Sequence, residues 1–173
     1  MKIYFHQATI FLWLKLLGLL HWVYKKNFVL VTAFSGNHFL EALRSCKSIG
    51  KLKESKNFER GYMIAYILKN DVSYIHLEQY RNECPFVTLR IFNATKYPAF
   101  VSKLLEYRWK PLIVAEVLQE VEKVFYFDSS VIFKDNANEN ITEILQKMDT
   151  KFEKCGIRFF GDAGHSIIRY CKK

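Results

Sequence analysis

The sequence has few residues that interrupt regular structure, with seven Gly and three Pro among 173 residues. That scarcity excludes collagen-like and Pro/Gly-rich low-complexity chains. An intrinsically disordered class is excluded as well, because 50% of the residues are hydrophobic and 16% are aromatic. The length is enough for one ordinary domain and too short for two, so we expect a single globular domain with a substantial core.

Cysteine is also sparse, and the four cysteines lie far apart in the sequence. They form no C-x-x-C pair, which excludes a zinc knuckle and a thioredoxin-like redox motif. Buried free thiols are the simpler interpretation, and up to two disulfides with three possible pairings are the alternative. The residues concerned are Cys46, Cys84, Cys155 and Cys171.

Several common catalytic and nucleotide-binding motifs are missing. The sequence has no Ser-His-Asp order, G-x-S-x-G elbow, Walker loop or G-x-G-x-x-G fingerprint. His38 and His165 have no Cys, His or carboxylate at metal-ligand spacing. Hydrolase, P-loop NTPase and Rossmann dehydrogenase functions therefore lack support.

The chain is basic, with 26 Lys and Arg against 17 Asp and Glu and a net charge of +9. This balance favours anionic partners such as nucleotide phosphates, nucleic acid or an anionic membrane surface. The basic residues are scattered, and no zinc finger or aromatic RNA-binding module accompanies them. We therefore expect no nucleic-acid partner.

The N-terminal region contains a hydrophobic run at residues 8–24, followed by Lys25 and Lys26. A membrane-spanning helix needs about 20 mostly apolar residues, and this run is slightly shorter and includes Lys15 and His21. It is interpreted as a signal-anchor, with an amphipathic or buried helix as the alternative. The chain is accordingly divided into an N-terminal hydrophobic segment, residues 1–26, and a domain at residues 27–173.

Two N-glycosylation sequons fit a lumenal location for that domain. They are Asn93-Ala94-Thr95 and Asn140-Ile141-Thr142. Asn140 has a second interpretation, because Asn140 and Glu143 also have the spacing of a capping box that begins a helix.

Apolar β-rich runs alternate with helical patterns along the domain, which predicts an α/β fold with a mainly parallel sheet flanked by helices. A helix is expected from Phe39 to a C-cap at Gly50, another from a cap at Ser73, and a third with Pro111 in its first turn. Residues 100–107 and the stretch opened by Asn140 also have helical spacing. Strands are predicted at residues 28–34, 62–68, 86–92 and 124–127, with further short candidates at 131–134, 157–160 and 166–170.

Ligands of such sheets bind beyond the carboxyl ends of the strands, where the strand order reverses. Asp128 directly follows the fourth predicted strand and could bind a divalent metal that bridges a nucleotide diphosphate. An Asp that only caps the following turn is the equal alternative. Asp135 is a second candidate ligand, although a turn residue is its plainer interpretation.

Two further groups of polar residues are candidates for binding an anion or a nucleoside. Arg108 and Lys110 stand at a helix start, where cations and free backbone N–H groups favour an anion, or they only surround a core Trp. Ser35 and Asn37 follow the first strand and could hydrogen-bond a base or ribose, or they only cap the next helix.

Four segments of the chain resemble a family of uncharacterised proteins known chiefly from nematodes. That family is classed with the nucleotide-diphospho-sugar transferases, which have the glycosyltransferase-A fold. The resemblance covers roughly residues 28–168. The segments read FVLVTAFSGNHFLEA, LRIFNATKYPAFVSKLLEYRWKPLIVAEVLQE, VFYFDSSVIFK and GIRFFGDAGHSII.

The resemblance implies a donor site built from particular residues. Asp128 corresponds to the first residue of the Asp-x-Asp motif that binds metal and diphosphate, but Ser130 stands where the second Asp would be. Mn²⁺ or Mg²⁺ is therefore an expected cofactor whose requirement is left open. Ala33, Ser35 and Asn37 would lie at the nucleotide end of the first strand, with Arg108 and Lys110 near the donor pocket.

The implied function is sugar transfer from a nucleotide-sugar donor to an unidentified acceptor. The implied location is the Golgi or endoplasmic reticulum, with the domain in the lumen and the N-terminal segment in the membrane. Family members continue beyond the point that corresponds to Lys173, so the fold is expected to be C-terminally shortened. A non-catalytic, membrane-associated binding module of the same fold is therefore the alternative, and a basic membrane-associated protein of another class is a third.

Overall fold

The described residues form an α/β domain built on a four-stranded parallel sheet. The computed structural model describes residues 28–54 and 62–134, and beyond them residues 141, 143, 144 and 147. The strand order is β3-β2-β1-β4, and every neighbouring pair is parallel. This confirms the predicted fold class. The strands are β1 (Phe28–Phe34), β2 (Tyr62–Ile67), β3 (Val87–Ile91) and β4 (Lys123–Tyr126).

Three α-helices connect the strands. Helix α1 (Phe39–Glu54) joins β1 to β2, α2 (Tyr74–Glu83) joins β2 to β3, and α3 (Trp109–Leu118) leads into β4. Ser73 caps α2 as predicted, since its Oγ accepts a hydrogen bond from the His76 N–H at 3.2 Å. Pro111 lies in the first turn of α3, where its missing N–H breaks no helical hydrogen bond.

The helices cover both faces of the sheet, because alternate residues of a strand point to opposite sides. Leu30 and Phe34 of β1 pack on α1 and α2, in a core that includes Phe39, Ile49 and Tyr80. The opposite face packs on α3, and its buried residues include Val29, Val31, Ala33, Ile64, Tyr66, Trp109, Ile113 and Val117. Strands β1 and β2 are thus buried on both sides, which explains their continuous apolar sequences.

Polar contacts fix α3 against the sheet. The Tyr66 hydroxyl of β2 donates to Glu116 Oε1 at 2.9 Å, and Arg90 of β3 makes two hydrogen bonds of 2.6 and 2.7 Å to Glu120. Burial is the main cause that raises the pKa of Tyr66 to about 12. The hydroxyl is therefore protonated at neutral pH and able to donate.

Three local predictions are wrong. Gly50 does not end α1, which continues to Glu54 because the next turn keeps its helical hydrogen bonds. Residues 99–106 form two 3₁₀ turns, Ala99–Ser102 and Leu104–Glu106, instead of one helix. Residues 131–134 form no strand and lie in an irregular segment after β4.

The interpretation of the cysteines as free thiols is wrong for two of them. Cys46 of α1 and Cys84, which follows α2, form a disulfide whose Cα atoms are 6.3 Å apart. Both residues are fully buried between the two helices and the sheet. The 38-residue separation hid the pairing from sequence reasoning.

Other predictions fall partly or wholly outside the described residues. Ile141 and Ile144 are helical and buried, as the predicted helix in that region requires, although Asn140 itself is not described. Several other predicted features also lie outside the described residues. They are the hydrophobic run at residues 8–24, the strand candidates at 157–160 and 166–170, and Asp135, Cys155, Cys171 and His165. Among the described helices, none combines the length and the apolar character needed to cross a membrane.

Candidate functional site

The strand order reverses between β1 and β4. The chain passes from β1 to β2 to β3 in one direction and then returns to place β4 on the other side of β1. Strands β1 and β4 are neighbours that run toward the same edge of the sheet, since Val31 pairs with Tyr126, the last residue of β4, and the Phe127 N–H donates to the Val31 carbonyl at 3.0 Å. Strand β1 continues beyond this pair to Phe34. A crevice at such a reversal is where open α/β sheets bind ligands.

A lysine and an aspartate meet at this edge of the sheet. Lys110 Nζ, from the first turn of α3, lies 2.6 Å from Asp128 Oδ1, just beyond β4. The side chain of Lys110 is 28% exposed and that of Asp128 is 56% exposed. The pair is therefore open to solvent and to a ligand.

Three aromatic rings surround the ammonium group of Lys110. Its Nζ lies 4.7 Å from the ring centre of Tyr107 and 5.8 Å from those of Trp109 and Tyr126. Burial and then the negative charge of Asp128 raise the pKa of Tyr126, so its hydroxyl stays protonated. The rings attract the cation by their quadrupoles and restrict where its side chain can lie.

A cavity of about 550 Å³ lies beside this pair. Its walls come from Ser35, Asn37 and His38 after β1, Leu68 and Lys69 after β2, and residues 102–107 with Trp109. The volume is within the range of small-molecule sites, and the walls combine apolar surface with a few polar groups. Asp128 and Lys110 are not among the lining residues, but two residues that do line the cavity, Tyr107 and Trp109, contact the Lys110 ammonium.

Tyr107 connects the cavity with the ion pair. Tyr107 lines the cavity, and its ring contacts the Lys110 ammonium. Its backbone has a φ of 55°, a left-handed conformation that is uncommon for a residue other than glycine. This conformation ends the 3₁₀ turn at Leu104–Glu106 and precedes α3.

The three predicted site residues in and directly after β1 occupy different positions. Ser35 and Asn37 both line the cavity, and Ser35 Oγ donates to Asn37 Oδ1 at 2.6 Å. Ser35 makes no capping hydrogen bond with the following turn. Ala33 is buried in the core on the α3 face, 5% exposed, and offers no side chain to a ligand.

The other predicted residues near the site, Arg108, Lys110 and Ser130, also lie in different surroundings. Arg108 Nε lies 2.6 Å from Glu106 Oε2, and its guanidinium sits 4.9 Å from the ring centre of Phe100. Arg108 is therefore engaged elsewhere, while Lys110 lies at the sheet edge. Ser130 is exposed in the turn after Asp128.

Sequence reasoning missed Asp71, which lies in the loop after β2. Its Oδ1 accepts a hydrogen bond from the Gly36 N–H at 2.8 Å, so it caps the helical turn that follows β1. The carboxylate thereby ties together the loops after β1 and β2, and residues of both loops line the cavity. The sequence offered one sign of its importance, because Asp71 lies in the loop that follows the carboxyl end of a predicted strand.

The described residues do not fit a resident divalent metal. They include no group of three or more His, Cys, Asp or Glu side chains that could hold one. Of the two candidate ligands, Asp135 lies outside the described residues and Asp128 has Oδ1 paired with an ammonium group. A metal bound through that oxygen would have to displace Lys110.

In a comparison with protein families, residues 20–115 match the model described as a protein of unknown function (DUF1647). The match covers more than half of the chain. The chain belongs to the DUF1647 family. In this DUF1647 protein the matched region includes β1, the cavity walls and Lys110, and it ends before Asp128. No curated protein and no solved structure matches the chain.

Proposed function

We propose that this protein is glycosyltransferase-like and binds a nucleotide-diphospho-sugar donor at the sheet edge between β1 and β4. The observation that carries the proposal is the Lys110–Asp128 pair at the reversal of strand order, beside a cavity of about 550 Å³. The exposed Lys110 ammonium can bind an anionic group, and the mostly apolar cavity beside it can take a flat ring, so the site suits a ligand that has both parts. A nucleoside diphosphate has both.

The two parts of the donor are assigned to different surfaces. The nucleoside would occupy the cavity, where Ser35 and Asn37 offer hydroxyl and amide groups and Tyr107 offers a ring face. The diphosphate would lie beside Lys110, because an ammonium group forms charge-assisted hydrogen bonds with phosphate oxygens. Tyr107 borders both surfaces and would separate base from phosphate.

In the proposed reaction an acceptor oxygen forms a bond to the anomeric carbon of the sugar. The bond from that carbon to the diphosphate oxygen breaks, and the acceptor proton passes to a base or to solvent. Negative charge then increases on the leaving diphosphate. A cation already in place beside it would lower the barrier, because it interacts more strongly with the transition state than with the donor.

One observation favours a second candidate, a non-catalytic donor-binding module. At the end of β4, Asp128 is neutralised by Lys110, and Ser129 and Ser130 supply no second carboxylate. A binding module needs no catalytic base. Release of UDP or GDP from nucleotide sugars distinguishes the two candidates, because only an enzyme turns the donor over.

We also propose a lumenal location in the secretory pathway, with membrane anchoring through the N-terminal segment. The Cys46–Cys84 disulfide supports this, because disulfides persist in oxidising compartments and are rare in the cytosol. Asn93 of the first sequon is exposed, as a glycan acceptor has to be.

Calorimetric titration of the full chain with UDP, GDP and UDP-sugars tests donor binding. We expect saturable binding of one nucleotide class, and loss of most of it in Asp128→Ala. Glu83→Ala is the matched control, since Glu83 forms a similar 2.7 Å ion pair with Lys47 on α1 and α2. No binding by a folded sample, or equal losses in the two variants, would remove the support for this donor site.

A further inference from the structure

We infer that Lys110 itself is the cation of the diphosphate site, and that nucleotide binding there requires no divalent metal. Asp128 is then a positioning residue that holds the ammonium group. The inference rests on the proposed donor site and adds how that site recognises the phosphates.

Lys110 is held in one place before any ligand arrives. Its Nζ is bound to Asp128 Oδ1 at 2.6 Å and lies within 6 Å of three ring centres. A lysine side chain loses considerable rotamer freedom when it becomes ordered. Because these contacts have already ordered Lys110, a phosphate would meet a preorganised donor and incur less of that entropic cost.

The ammonium group also keeps hydrogen-bonding capacity for a ligand. It has three N–H donors, and the contact with Asp128 uses one. The aromatic rings attract its charge and accept no conventional hydrogen bond. The remaining donors can therefore bind phosphate oxygens while Asp128 keeps the group in position.

A divalent metal would compete with this arrangement. Mg²⁺ binds carboxylate oxygens at about 2.0–2.1 Å, and Lys110 Nζ already lies 2.6 Å from Asp128 Oδ1. Two cations on one carboxylate oxygen repel each other strongly at that separation. Binding of metal would thus release Lys110 from Asp128, and among the described residues no cluster of ligands compensates.

Arg108 is not an equivalent cation, although it is two residues away. It pairs with Glu106 at 2.6 Å and stacks on Phe100. Freeing it for a phosphate would break both contacts. Of these two cations, Lys110 is therefore the one that is both positioned and available at the sheet edge.

The test is calorimetric titration of UDP into the full chain, in EDTA and in Mn²⁺, with three variants. We expect wild-type affinity to be the same in both buffers. Lys110→Ala should weaken binding about tenfold or more, the loss of a charge-assisted hydrogen bond. Asp128→Ala should also weaken binding, whereas Asp128→Asn should stay within about threefold of wild type, because its amide oxygen still accepts from Lys110.

Lys47→Ala is the control, since it removes one positive charge and one ion pair on α1 far from the sheet edge. Its affinity should equal that of wild type, and circular dichroism should show every variant folded. Binding that needs Mn²⁺ and disappears in Asp128→Asn would overturn the role of Lys110 while leaving the donor site intact. Absence of nucleotide binding in both buffers would instead reject the donor site itself.

Discussion

At the scale of single residues, Gly36 is required by the close approach of two loops. A Cβ at this position would lie 2.5 Å from the Asp71 carbonyl oxygen, a backbone atom. We predict that Gly36→Ala lowers the free energy of unfolding by roughly 1–3 kcal/mol, because the loop after β2 would have to move. Urea unfolding followed by circular dichroism measures this change.

Gly50 is the natural control for that substitution. It lies inside α1, and a Cβ at this position would have Phe86 Cε1 as its nearest neighbour at 3.4 Å, an ordinary contact. Gly50→Ala should raise the free energy of unfolding by about 0.5–1 kcal/mol, since alanine loses less backbone entropy in a helix. If both variants shift stability by the same amount, close packing at Gly36 is not the cause.

Lys110 and Arg108 show how far residue-level sequence reasoning reaches. The sequence identifies both as cations near the start of a helix, and it gives no reason to prefer either as the residue that binds an anion. Only their neighbours in space distinguish them, since Glu106 engages Arg108 and Asp128 holds Lys110. Those partners depend on the direction in which each side chain leaves the start of α3, where Arg108 is the N-cap residue and Lys110 lies in the first turn.

At the scale of elements, the disulfide fixes α1 to the end of α2. Cys46 and Cys84 close a loop that contains all of β2. We predict that reduction lowers the free energy of unfolding by roughly 2–4 kcal/mol, because the unfolded chain gains conformational freedom. Urea titrations with and without a reducing agent measure the loss.

The double variant Cys46→Ala/Cys84→Ala is the control for this measurement. The double variant lacks this disulfide, so any change that the reducing agent still causes in its free energy of unfolding comes from other cysteines. Mass spectrometry of the non-reduced protein after proteolysis should find the Cys46–Cys84 peptide. Recovery of both residues as free thiols would contradict the prediction.

Residues 99–106 show where an element could not be predicted. The spacing of Phe100, Val101 and Leu104 suggested one helix, and the structure has two 3₁₀ turns. Two features at the junction with α3 interrupt a continuous helix: the Trp109 indole N–H donates to the Leu104 carbonyl at 2.9 Å, and Tyr107 takes a left-handed conformation. These contacts draw the segment over the sheet edge and form one wall of the cavity.

At the scale of the whole molecule, the compartment determines whether Asn93 is modified. Asn93 is exposed after β3, and its Oδ1 accepts hydrogen bonds from the Thr95 N–H and hydroxyl. In a lumenal chain its Nδ2 should receive a glycan. We predict that peptide N-glycosidase increases the mobility of the chain expressed in a eukaryotic host, and that Asn93→Gln reduces this change.

Asn140→Gln is the companion variant, because a glycan on the second sequon would cause the part of the mobility change that remains in Asn93→Gln. The double variant should show no response to the enzyme. A wild-type chain whose mobility is also unaffected would argue against the lumenal location. It would leave the donor site untouched, since nucleotide binding is measured separately.

The sequence by itself determined the fold class and the edge of the sheet where the candidate site lies. Continuous apolar runs predict strands buried on both faces, and their alternation with helical patterns predicts a parallel sheet. Both patterns are local, and each strand start was predicted to within about one residue. The donor-binding roles of Ser35, Asn37, Lys110 and Asp128 remain predictions.

Only the tertiary structure decided which of the candidate residues meet. It paired Lys110 with Asp128, buried Ala33, joined Cys46 to Cys84 and brought Asp71 onto Gly36. These contacts join residues between 18 and 38 positions apart in the chain, apart from the burial of Ala33. Their partners are set by how strands order and helices cross the sheet, and local sequence patterns carry no information about that geometry.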